Sequence, residues 1–145
     1  MAVSAYLYGK FFDHLAQKRI DLDSDTFKIM LLTDGYTPLQ DDHDYIDDVV
    51  AASNEVVGAG YTAGGGTLDN VTWGYTAGTN VWKWDADDEA WTTATITARY
   101  AVIYDDAAAS DPLVGYIDFG ADVTSTAGTF TVAFAAAGVF TITVG

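Results

Sequence analysis

The sequence predicts a mainly β domain, an antiparallel β-sandwich or barrel-like body preceded by one N-terminal amphipathic helix. Three observations carry this. Short runs of β-branched and aromatic residues with period-two alternation recur between turn signals. Helical spacing of apolar residues is seen near the N-terminus. The chain is 145 residues long, 50% hydrophobic and 14% aromatic, enough for one core in a single domain and outside the composition range of disordered chains.

Taken in order, Leu7, Phe11, Phe12 and Leu15 follow helical spacing between Ala5 and Arg19, with Ser4 as a candidate N-cap and Lys18 and Arg19 in the last turn, where cations suit the helix dipole. Residues 1–20 are therefore read as a helical segment, and 26–145 as the β body. Thr26–Thr33 is rich in β formers and apolar on both faces in its second half, as an interior strand requires. Residues 34–54 form a long acidic loop in which only Tyr45–Val50 suits a short helix.

Val71–Tyr75 and Val81–Trp84 flank Thr76-Ala77-Gly78-Thr79-Asn80, a hairpin in which Gly78 is expected to supply positive φ. Ile96, Ala98, Tyr100, Val102 and Tyr104 alternate with smaller or polar residues, and further strands are expected at Leu113–Phe119, around Phe130, Val132 and Phe134, and at Phe140–Val144. Asp85-Ala86-Asp87-Asp88-Glu89 reads as a solvated hairpin tip. Thr-Ala-Gly occurs at residues 62, 76 and 126, spacings that mark re-used turn chemistry and not a repeat.

Charge narrows the function classes. With 21 acids against 6 Lys and Arg, the net charge of −15 opposes binding to nucleic acid or to an anionic membrane. Residues 1–28 balance four cations against four acids, whereas residues 29–145 set Lys83 and Arg99 against seventeen acids. A neutral leading segment on an acidic body suits a protein that docks by one end; the alternative reading is that the segment is simply the chain's one helix. The N-terminus lacks the pattern of a secretory signal, and the apolar stretch Phe130–Val144 is too short to span a bilayer as a helix.

The sequence nominates no catalytic, cofactor-binding or metal-ligating residue. There is no cysteine, and neither His14 nor His43 sits in a zinc spacing. Asp21-Leu22-Asp23-Ser24-Asp25 begins like a calcium loop but has Thr26 at position six and Leu32 at position twelve, where glycine and glutamate belong. No Gly-x-Ser-x-Gly occurs, and the glycines at 58–66 lack the Lys-Ser/Thr of a phosphate loop. Trp73, Trp82, Trp84 and Trp91 with Tyr61, Tyr75 and Tyr100 suit a core or subunit contact, with a sugar platform as the competing reading.

Four segments, Ile20–Thr33, Ser53–Gly65, Thr97–Tyr104 and Val114–Gly120, together resemble a family of small virion structural proteins of tailed bacteriophages, over nearly the whole chain. The resemblance implies a non-enzymatic particle component, made in the host cytoplasm and carried on the virion. Among such components the expectation is a capsid decoration or cement protein on the outer surface of the head, whose partner is the major capsid protein. Homo-oligomerisation is expected, a trimer suiting the threefold positions of an icosahedral shell. Shell anchoring is assigned to Phe11, Phe12, Leu15, Lys18 and Arg19, where basic residues cluster. Two alternatives stand: a tail or head-fibre component contacting the host surface, and a small acidic β-sandwich carbohydrate-active protein.

Overall fold

The computed structural model describes residues 2–145. In chain order the elements are β1 (Ser4–Leu7), α1 (Phe11–Ala16), β2 (Phe27–Leu32), α2 (Ile46–Val50), β3 (Gly66–Thr67), β4 (Thr72–Thr76), β5 (Val81–Asp85), β6 (Glu89–Asp105), β7 (Leu113–Val132) and β8 (Phe140–Thr143). They form two antiparallel sheets, a five-stranded one in the order β1-β7-β6-β2-β3 and a three-stranded one in the order β4-β5-β8. Both sheets end in open edges, so the fold is sandwich-like and not a closed barrel.

The five-stranded sheet is apolar on both faces, as the Thr26–Thr33 run requires. Phe27, Ile29 and Leu31 of β2, with Ala101 and Ile103 of β6, point into the core beneath the three-stranded sheet. Trp84 of β5 meets them there, wholly buried, edge-on to Phe27 at 4.9 Å, its indole N–H donating to the Leu22 carbonyl at 3.1 Å. Removing an aromatic side chain from such a site costs about 3–5 kcal/mol.

Met30, Leu32, Val102 and Tyr104 point the other way and need a second cover. The acidic stretch supplies it: Tyr36 and Val49 are buried against this outer face. Asp48 caps α2 by accepting from the backbone N–H of the N-cap residue Tyr45 at 3.4 Å, and it also accepts from the N–H of Asp44 at 2.9 Å. The Tyr8 and Tyr36 hydroxyls are 2.7 Å apart, and Tyr36 is hydrogen bonded to His43 Nδ1 at 3.0 Å. Burial pushes the Tyr36 hydroxyl up to about 12 and Tyr8 further up, so both stay protonated.

Several sequence expectations are corrected. Helical spacing from Ala5 is not realised: Ser4–Leu7 is an edge strand on Gly115–Asp118, Ser4 caps nothing, and the helix is confined to Phe11–Ala16. Leu7 faces the core and Tyr6 stacks on Tyr116 on the other side, a period-two arrangement that four residues cannot distinguish from helical spacing. The strands expected at 113–119 and around 130–134 are one strand, β7, whose pairing with β6 absorbs several register shifts. Gly120 takes a φ of 79° and Ala127 a φ of 46°, so irregularities replace turns.

The β4–β5 hairpin is present, but Asn80 and not Gly78 supplies the positive φ, at 57°. Residues 85–89 are no hairpin tip: they carry the chain from one sheet to the other. They are pinned by Asp87 to Asn70 at 2.6 Å and by Asp88 to the Phe134 N–H at 2.8 Å.

Two side-chain positions yield tests of this packing. A Cβ on Gly65, at φ 83°, would lie 1.9 Å from the Ile29 carbonyl oxygen, so β2 and the glycine loop approach as only glycine permits. Gly65→Ala is expected to destabilise by roughly 3 kcal/mol, combining left-handed strain with overpacking, measured by urea denaturation.

Asp105 is wholly buried, its Oδ1 accepting from Ala107 and Ala108, while Oδ2 meets no N–H donor. Burial first, then the neighbouring Asp25 carboxyl, raises it to about 7. The folded protein therefore holds a proton that the unfolded chain releases near pH 4, so this group's stabilisation is complete below that pH and is lost as pH rises through about 7. Asp105→Asn should flatten that decline, gaining progressively on the wild type between about pH 4 and about pH 7 and no further above it, in urea titrations.

A candidate docking face on the N-terminal helix

The helix α1 begins where the backbone leaves β1 through Gly9, whose N–H donates to the Gln40 carbonyl at 2.9 Å. It ends in a Schellman arrangement. The N–H of Arg19 donates to the His14 carbonyl at 2.8 Å and that of Lys18 to Leu15 at 3.1 Å, with Lys18 at φ 59° in the left-handed position usually held by glycine. His14 anchors the helix from below. It is buried, its Nε2 lies 3.2 Å from the Asp44 carbonyl, and its ring packs against Tyr45 at 4.9 Å.

The five residues assigned to anchoring divide. Phe11 is 0% exposed, set in the core against Phe140 at 5.5 Å, which removes it from any contact surface. Leu15 is half-buried against the same core. Phe12 is 51% exposed, and Lys18 and Arg19 are exposed. The reason is the short helix: Phe11 and Phe12 are adjacent, so one ring must point inward and the other away.

Sequence reasoning missed how the aromatic hairpin extends this face. Register places Trp73 and Tyr75 of β4 on one side of the three-stranded sheet with Trp82 and Trp84 of β5. Trp84 sits in the core, while its neighbours form a ladder leading outward: Trp73 and Trp82 stack at 4.8 Å and 11°, and Tyr75 follows at 5.1 Å, 45% exposed. Trp73 also lines, with Leu15, Lys18 and Ile20 and with the carboxylate residues Asp21 and Asp23, a shallow depression of about 370 Å³ beside α1. The signal was period-two alternation of aromatics on both strands; what connected them to the helix was tertiary.

Charge on this face is distinctive. Of the six cations, Lys28 pairs with Asp106 at 3.2 Å, Lys83 with Asp85 at 2.7 Å and Arg99 with Asp118 at 2.8 Å. The Arg99 hydrogen bond holds the Asp118 carboxyl below the usual carboxylate range. Among the described residues Lys10, Lys18 and Arg19 have no carboxylate within ion-pair distance, and Arg19 instead donates to the Tyr45 hydroxyl. Every cation left uncompensated thus lies between residues 10 and 19.

No group of three or more His, Cys, Asp or Glu side chains among the described residues is placed to hold a metal, and no described helix is long and apolar enough to cross a membrane.

No family model, curated protein or solved structure matches this chain.

Lys18 permits a separation of roles. Because its left-handed backbone strains any residue with a Cβ, Lys18→Gly should raise stability by roughly 1 kcal/mol while deleting one of the three free charges, checked by thermal melting.

Proposed function

We propose that this protein is a non-enzymatic virion structural protein, a decoration or cement protein that docks through α1 and its flanks onto the outside of a phage head. The particle comes from the resemblance of four sequence segments to small virion structural proteins. The docking face rests on one observation: the uncompensated cations of a chain with net charge −15 are gathered on one short segment beside an exposed phenylalanine.

An exposed aromatic beside basic residues is the composition of a contact centre, with the ring providing apolar area and the charges providing orientation and encounter rate. The acidic remainder keeps neighbouring decorated particles apart, through repulsion screened over a Debye length of about 8 Å at physiological salt. The major capsid protein is the partner in this reading, and the face it offers is acidic with an apolar cleft for Phe12.

The ladder of Trp73, Trp82 and Tyr75 favours a second reading, a tail or fibre component whose exposed rings stack on a host-surface glycan. Binding to purified host envelope that is lost in Tyr75→Ala, with no binding to heads, would select it.

The decoration reading is tested with undecorated heads. Replacing Lys10, Lys18 and Arg19 together by Glu should weaken binding roughly 10- to 100-fold, about 0.5–1 kcal/mol for each charge lost. Wild-type binding should also weaken as salt is raised. Unchanged affinity in the folded triple variant overturns the assignment.

A further inference from the structure

One side of the sandwich is unfinished. The pairing of β1 with β7 stops at Ser4 opposite Asp118, so among the described residues β7 from Phe119 to Val132 is bonded to β6 alone and its other edge is bare. On the same side an apolar groove of about 300 Å³ opens between β1 and the turn leading into β8, floored by Ile117, Phe134 and Phe140. Natural sheets protect long edges with lysine, proline or inward-pointing charge, because unpaired N–H and C=O groups recruit other strands. This edge has neither lysine nor proline, and Asp122 is its one charged residue.

The charge map says what fits there. Residues 119–145 hold a single charged residue, residues 2–9 hold none, and no residue lining the groove is charged at neutral pH, in a chain of net charge −15. A cationic partner would be drawn to the acidic surfaces elsewhere. A side stripped of charge is what a partner of the same sign needs in order to approach, and the like-charged partner always present is another copy of this chain.

We propose that two copies pair antiparallel along the bare edge of β7, making one sheet continuous across the dimer. Gly120 and Ala127, at positive φ, bracket a stretch at 121–126 that is free to accept a strand. A dyad perpendicular to the sheet brings residues of the same face opposite one another. Centred on Val123, it sets Val123 against Val123 of the second copy and Asp122 against Thr124 of the second copy. Carboxylate thus meets hydroxyl and not carboxylate.

Val123 lies on the same sheet face as its buried partner Ala98, yet is 43% exposed; the second copy covers it. Pairing through one edge closes as a dimer, in contrast to the trimer that icosahedral geometry favours, and it stands whatever surface the protein docks on.

The chain has no cysteine, so Val123→Cys introduces its only thiol. With a short bis-maleimide at tens of micromolar protein, this variant should crosslink to a dimer at least tenfold faster than Val57→Cys, whose site is 94% exposed and lies elsewhere. Wild-type protein should sediment at twice the chain mass of 15.5 kDa, and Val123→Lys should sediment as a folded monomer. A wild-type monomer at these concentrations, equal crosslinking of the two cysteine variants, or a trimer unaffected by Val123→Lys would each overturn the proposal. The crosslinking comparison decides it even if Val123→Lys fails to fold.

Discussion

The architecture depends on β2 having to bury both of its faces. Phe27, Ile29 and Leu31 demand a cover on one side of the sheet and Met30 and Leu32 on the other. A single layer cannot satisfy both, since each exposed leucine or isoleucine would forfeit about 1.5–3 kcal/mol of burial. The three-stranded sheet answers one demand, with Trp84 as its wedge. The acidic stretch answers the other by turning Tyr36 and Val49 inward while its carboxylates, the half-buried Asp44 apart, stay in water. This explains how so charged a segment is also structural: only a few of its residues touch the sheet, and the remainder are free to be acidic.

The same segregation governs the surface. Acids concentrate on the cover and on the links between sheets, and the uncompensated cations Lys10, Lys18 and Arg19 flank α1. The open side formed by β1, β7 and β8 is left nearly without charge. Three surfaces of different electrostatic character on a domain of this size give three kinds of encounter: repulsive, steering and neutral.

What could be read from the chain divides along the range of the interactions. The β2, β4–β5 and β8 strands and the short helix α2 were legible because alternation, turn residues and local capping encode them. The beginning of the chain misled because Leu7 and Phe11 happen to be four apart. Four residues of edge strand followed by a short helix mimic a longer helix until the partner strand is known. The length of β7 was hidden for a related reason: its middle, from Gly120 to Thr129, is polar and glycine-bearing, and only β6 alongside makes it a strand. Within the candidate docking face, Phe12, Lys18 and Arg19 were recognisable as a basic, apolar cluster. The burial of Phe11 and the approach of Trp73 were not, since both depend on which sheet lies beneath the helix.

The pairing of Ser4 with Asp118 has a consequence in time. During synthesis, at about 5–20 residues per second, β1 and α1 emerge well before the strand that holds them exists. Phe11 likewise waits for Phe140. The helix flanked by the free cations is therefore seated only after residues 115–118 and Phe140 have been made. Closing β1 onto β7 thus makes the seating of α1 a late event in the folding of this domain.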